Sequence, residues 1–328
     1  MVDETREVQG KAPATARQEL AEEEEEAPEA EDTFTPLQLA STHGDLALVS
    51  TLLAHNTDPN ETPKGWYGKT ALQAASLYGH LPVVEKLLAA GAHVDAPGGN
   101  NGGHVALVLA AKAGHLNIVE RLIAAGADVK LPAARYSGRT ALQAAAEGGH
   151  VGILRRLLDE GADIHAPPAH NFGRTVLQAA VEQQHVDIVE MLLAAGANVN
   201  QGVPKYKGLT ALQAAASVGN IGLIERLLKV GADVNAKGSY YNGYTALAAA
   251  AAGGHIDAVQ RLLDAGADIA STSGNKHWTP LQTAKLKGRK EVMKPLMDAE
   301  QQRMRRKEAG GGDVLYNMLF NCDPLQAL

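Results

Sequence analysis

The sequence predicts an all-α solenoid of eight helix-turn-helix repeats, and three observations predict it. The hexamer "TALQAA" stands at Thr70, Thr140 and Thr210, with looser copies at Thr35, Val105, Thr175, Thr245 and Thr279. The steps between these starts are 35 residues six times and then 34. Behind each copy runs a second stretch with apolar residues at helical spacing, such as Val83, Val84, Leu87 and Leu88, or Ile188, Val189, Leu192 and Leu193. A closing "AAGADV", or a near copy, then places Gly91, Gly126, Gly161, Gly196, Gly231 and Gly266 one period apart. A fixed period of this length marks stacked supersecondary units, because one helix pair cannot bury its apolar face alone.

The elements follow in chain order. Residues 1–32 hold twelve Asp/Glu against three Lys/Arg, with "EEEEE" at 22–26, so they read as a disordered acidic tail. The tail carries −9 of the net −7, which leaves the rest of the chain at +2. It either keeps the chain soluble or folds back on a basic row described below. Residues 33–300 are the eight repeats. In each but the third, which has Val105, Thr is positioned to N-cap the first helix, and Pro36 and Pro280 follow it where a missing N–H is harmless. "GH" at 79–80, 114–115, 149–150 and 254–255 ends that helix, and Gly at the close of the second helix favours a left-handed cap. A polar segment of about ten residues returns to the next Thr, with Gly two residues before the cap as a turn signal. The first unit ("HNTDPN") and the last ("KGRKEVMKPLMDAE", with a helix-kinking Pro295) depart from the pattern and read as caps. Residues 301–328 hold a basic cluster, "RMRRK" at 303–307, then "GGG" at 310–312 as a hinge and a short amphipathic helix with Leu315, Met318, Leu319 and Cys322. That helix either covers the last repeat or docks in another protein's groove.

The unit "G-x-T-A/P-L-Q-A-A-x-x-G-H-x-x-I-V-x-x-L-L-A-A-G-A-D-V-N" resembles the ankyrin repeat. The resemblance implies an ankyrin-repeat solenoid with β-hairpin-like fingers between units. Two departures stand out: the period is 35, with the extra residues in the finger, and Gln replaces the usual His of "TPLH" at Gln38, Gln73, Gln143, Gln178, Gln213 and Gln282. Gln keeps a donor and an acceptor, so it can tie adjacent hairpins together. The "TALQAA" signature with a lengthened finger is similar to the ankyrin arrays of filamentous fungi.

Aromatic residues are only 4% of the chain, yet the fingers take Trp66, Tyr67, Tyr136, Phe172, Tyr206, Tyr240, Tyr241, Tyr244 and Trp278. Trp66, Tyr136, Tyr206 and Tyr241 share one register, four residues before the cap. Rings in that register either stiffen each finger by packing on the next or anchor a partner. Tyr240, Tyr244 and Trp278 lie off the register and are expected to contact a partner, since Trp and Tyr dominate interface hot spots. By resemblance, the residue before each cap faces a partner. That row reads Phe34, Lys69, His104, Arg139, Arg174, Leu209, Tyr244 and Trp278, basic in the middle and apolar toward the C-terminus. A protein partner with an acidic segment followed by apolar residues fits it.

Several function classes find no support. Dinucleotide, Walker, nucleophile-elbow and zincin motifs are missing, so no catalytic residue, cofactor or small-molecule substrate is expected. His80, His115, His150, His185 and His255 recur in register, but equivalent positions in stacked helices lie roughly 8–10 Å apart and cannot converge on one ion. A near-neutral repeat region speaks against direct nucleic-acid binding, and no apolar run is long enough for a membrane span. One cysteine and the lack of a signal peptide indicate a cytoplasmic or nuclear setting. The expected function is a non-catalytic protein-protein interaction scaffold or adaptor, with nuclear transcriptional co-regulation as one role. A sensor or regulatory array related to fungal multidomain immune-receptor-type proteins is the alternative the resemblance offers.

Overall fold

A computed structural model describes residues 34–62, 68–99, 104–134, 138–170, 173–203, 206, 208–241, 243–272 and 274–320. The acidic tail and the last eight residues lie outside these, as do Trp66, Tyr67, Tyr136 and Phe172 of the fingers.

Eight helix pairs follow one another. The first helices are α1 (Pro36–His43), α3 (Ala71–Leu77), α5 (Ala106–Ala113), α7 (Ala141–Gly148), α9 (Val176–Glu182), α11 (Ala211–Val218), α13 (Ala246–Gly253) and α15 (Pro280–Leu286). Their partners are α2 (Leu46–Ala54), α4 (Leu81–Ala89), α6 (Leu116–Ala124), α8 (Val151–Asp159), α10 (Val186–Ala194), α12 (Ile221–Lys229), α14 (Ile256–Asp264) and α16 (Lys290–Phe320). First helices pack on first helices, second on second, and the two of a unit on each other, so the main packing runs from each unit to its neighbours.

Small residues make this layering possible. In α3, residues 71–76 are all buried, four of them alanine or serine, and α13 buries Ala246 through Ala251 around Leu247. Backbones can approach closely there, while Leu, Ile and Val of the second helices fill the remaining space, as Ile118, Val119 and Leu122 do in α6.

The expected caps form. Thr35, Thr70, Thr140, Thr175, Thr210 and Thr279 each accept from the backbone N–H of a Gln three residues on, while that Gln accepts from the Thr N–H. This reciprocal box satisfies two orphan amides at once. Gln also reaches forward, as Gln73 Nε2 donates to the Ala96 carbonyl (2.7 Å) and Gln213 to that of Ala236 (2.9 Å). The replacement of His by Gln therefore ties five of the first helices, those of Gln38, Gln73, Gln143, Gln178 and Gln213, to the stem of the next finger. Val105 has no capping side chain, and Thr245 caps without a Gln.

Two sequence expectations change. The fingers form no strand among the described residues; finger meets finger instead through an isolated parallel bridge, Tyr206 to Tyr241. Nor does "GGG" act as a hinge between separate segments. Lys290–Phe320 is one helix of 31 residues, with Pro295 and Gly310–Gly312 inside it, which crosses the expected boundary at residue 300. Each glycine weakens a helix by about 1 kcal/mol relative to Ala, which lowers its stability without stopping it. Val292 and Leu296 are fully buried, and they anchor the start of α16 against the preceding unit.

Candidate functional site

The pre-cap row divides into two chemical zones. In the middle, the residue before the cap meets the residue eight positions later at the end of the same first helix. Arg139 Nε donates to Glu147 Oε2 at 2.9 Å, and Arg174 Nε to Glu182 Oε2 at 2.6 Å with a second bond from its Nη2 to Oε1 at 3.2 Å. Both guanidinium groups are largely covered, with side chains 16% and 15% exposed. Lys112 joins the first pair, 3.6 Å from Glu147. A small cavity of about 170 Å³ lies between the two pairs, lined by Arg139, Glu147, Arg174, Ala179, Glu182 and Gln183. Two of the three cations expected in the basic row, Arg139 and Arg174, are therefore internally compensated. Sequence reasoning named the arginines and missed Glu147 and Glu182, although the spacing of eight in the two central units was there to be read.

His104 belongs to the same zone. Burial lowers its pKa below the usual histidine value, and the positive charges of Lys112 and Arg139 lower it further, against a weaker opposing effect of Glu147. The ring is thus held neutral at neutral pH. Lys69, half-buried at the next position toward the N-terminus, has no ion-pair partner among the described residues.

Toward the C-terminus the row turns apolar. Leu209 and Tyr244 are half-buried and pack on the core, and Trp278 is half-buried beside its finger. In the neighbouring fingers Tyr206 and Tyr241 lie face to face, ring centroids 4.7 Å apart and planes 3° from parallel. Tyr240 sets its ring edge against Tyr241 at 4.7 Å and 85°, yet remains 61% exposed. The finger can present this cluster because it folds tightly on itself: a Cβ at Gly243 would lie 2.2 Å from the Ser239 nitrogen, so only glycine fits. Of the two readings left open for the shared register, finger-on-finger packing holds for Tyr206 and Tyr241. Trp66 and Tyr136 of that register, with Tyr67 and Phe172, fall outside the described residues.

The recurring histidines have a structural task. His80, His115, His150, His185 and His255 each point Nε2 at a carbonyl ending the preceding unit's first helix, those of Thr42, Leu77, Lys112, Glu147 and Ser217, at 3.0–3.2 Å. A nitrogen that donates to a carbonyl is not available to a metal. No group of three or more His, Cys, Asp or Glu among the described residues could hold one, and no described helix is long and apolar enough to cross a membrane.

An array of capped helix pairs with a finger between each is the architecture of a repeat protein that displays an extended surface. The family model for ankyrin repeats matches residues 11–98, 96–168, 165–238 and 212–307, and the chain belongs to the ankyrin-repeat family. It is also similar to the crystal structure of the human ASB11 ankyrin repeat domain, at 28% identity over 72% of this chain and 99% of that one, with a TM-score of 0.57. No curated protein matches the chain.

Proposed function

We propose that this ankyrin array is a non-catalytic scaffold that captures a protein partner on its C-terminal fingers, with Tyr240 as the leading contact. The exposure of Tyr240 carries the reading. A large ring that is 61% exposed, braced by a stacked pair behind it, is a preorganised anchor that loses little entropy on binding. Leu209, Tyr244 and Trp278, each half-buried, are the apolar pre-cap residues of this and the adjoining units. A partner segment with apolar side chains suits this zone. The acidic segment expected from the sequence is supported by Lys69 alone, because Arg139 and Arg174 already hold carboxylates. The test is affinity capture with the wild type and with Tyr240→Ala/Tyr244→Ala, folding being checked by circular dichroism. Loss of the captured partners is expected; an unchanged partner set in a folded variant refutes the reading.

We further infer a nuclear role in transcriptional co-regulation, supported by Arg305 and Arg306, which stand exposed on α16 beside half-buried Arg303. A tagged chain carrying Arg303→Ala/Arg305→Ala/Arg306→Ala is expected to leave the nucleus, and an unaltered distribution removes this part of the proposal.

A further inference from the structure

One junction in the array lacks the tie that holds its neighbours. On either side of it, a histidine lies over a left-handed glycine of the preceding unit and bonds to a backbone carbonyl: His185 over Gly149, and His255 over Gly219. Between the fifth unit (α9, α10) and the sixth (α11, α12), Gln184 takes the left-handed position at φ 60°, and Asn220 stands in place of histidine. Asn220 Nδ2 donates to Gln184 Oε1 at 3.1 Å, an exposed bond between two side chains where water competes.

The first helices differ at the same place. α9 buries Val176 and Val181, where α7 has Ala141 and Ala146 and α11 has Ala211 and Ala216. Branched side chains keep backbones apart, and α9 and α11 share the sparsest contact of any neighbouring first helices. At the opposite edge α10 and α12 themselves pack sparsely, but polar ties remain: Asn200 Nδ2 donates to the Gly231 carbonyl (2.9 Å), Asp233 N–H to Asn200 Oδ1 (2.8 Å), and Arg226 pairs with Glu190 (2.7 Å). One edge tied and the other loosened is the arrangement of a pivot.

We infer that the array consists of two cooperative blocks, units one to five and units six to eight, joined by a hinge at Gln184 and Asn220. In a nearest-neighbour solenoid a weakened interface separates the chain into units that open independently. The division falls between Arg174 and Leu209, so the ion-paired zone rides on one block and the aromatic zone on the other. A change of angle at the hinge alters the distance between the two zones.

The chain's two tryptophans, Trp66 and Trp278, lie one in each block. Trp278→Phe leaves a reporter of the first block, and Trp66→Phe a reporter of the second. Urea unfolding followed by the two single-tryptophan chains is expected to give separate curves, their unfolded-to-folded ratios differing about fivefold at a common urea concentration, the size of one lost hydrogen bond. Adding Gln184→Gly with Asn220→His restores the histidine tie and brings the curves together. Coincident curves in the native junction, or a separation that survives the double substitution, overturn the inference. Amide exchange on the unsubstituted chain gives an independent reading. The turns at 183–186 and 218–221 should exchange about fivefold faster than those at 148–151 and 253–256, and equal rates overturn it. Neither experiment involves a partner, so failure here leaves the scaffold reading standing.

Discussion

Asn220→His alone puts the ring that ties five of the other six junctions opposite a residue that cannot accept it. A Cβ built at Gly44, Gly79, Gly114, Gly149 or Gly219 lies only 2.5–2.7 Å from the facing histidine ring, where ordinary contact begins at 3.4 Å. Gln184 carries a real Cβ at the equivalent position, so the introduced imidazole would overlap it by roughly 0.7–0.9 Å, the difference between those distances, and must move out of line with its carbonyl. Overpacking on this scale destabilises by about 1–3 kcal/mol. The variant also loses the bond to Gln184, worth about 1 kcal/mol, and the cap that Asn220 gives the Leu223 N–H, of similar size but equally lost in the double variant, so that it cancels from the coupling. Gln184→Gly alone loses that same bond but relieves a non-glycine residue at positive φ, a strain of similar size, so its net effect is small. Together, the two substitutions rebuild a glycine-histidine pair like the five already present. A double-mutant cycle by urea denaturation should therefore return a favourable coupling of at least about 1 kcal/mol, beyond the ~0.5 kcal/mol within which independent sites add. Additive effects would show that the left-handed Cβ and the facing residue do not constrain each other, and the account of the junction would fail.

Three further outcomes can be checked on the isolated chain. Thr140→Val removes the acceptor for the Gln143 N–H and should lower stability by about 1 kcal/mol, seen as a lower thermal midpoint; no shift would mean that the capping box adds nothing, as in the naturally valine-capped α5. Tyr241→Ala should destabilise the array, since a stacked pair adds roughly 0.5–1.5 kcal/mol beyond its buried area, whereas Tyr240→Ala should stay within about 0.5 kcal/mol of the wild type; equal losses in urea unfolding would place Tyr240 in the fold. Acidification should act through His104. Its folded pKa is depressed, so the unfolded chain binds the proton more readily, and stability is complete above the ordinary value of 6.5 and falls as pH drops below it; His104→Gln should flatten that part of the pH–stability curve, and an unaltered slope would exclude His104 as the cause.

The architecture was legible in the sequence because period, caps and apolar spacing all report on neighbours close in the chain. The shared register of Tyr206 and Tyr241 was legible for the same reason, and one repeat of separation became a stack at 4.7 Å. Charge was harder. Arg139 and Arg174 read as a basic row because their glutamates lie eight residues away, beyond the helical i+4 reach, and meet them only after the chain turns into the first helix. "GGG" misled as a hinge because glycine's preference is a weak local term, and α16 continues past it from an anchor at Val292 and Leu296. The exchange of Gly-His for Gln184 and Asn220 was visible on aligning the units, but the distance that makes the two positions interdependent is visible only in space.

Compensated arginines also bear on where affinity must come from. An ion pair at the surface contributes little to stability, about 0–1 kcal/mol, yet a partner carboxylate that approaches Arg174 meets Glu182 already in place and is repelled by it. The central zone of the wild type should then attract acidic ligands weakly, leaving the aromatic zone to supply the buried anchors that dominate interfaces. Glu147→Gln/Glu182→Gln keeps the shape of both sites and one acceptor oxygen in each while adding two net positive charges. A poly-glutamate peptide should bind this variant more tightly than the wild type, by a margin that shrinks as salt rises from about 50 to about 500 mM and screens the uncovered charges. Equal binding at low salt would mean that Glu147 and Glu182 do not shield the arginines, and the acidic partner segment first read from the sequence would regain its place beside the aromatic anchors.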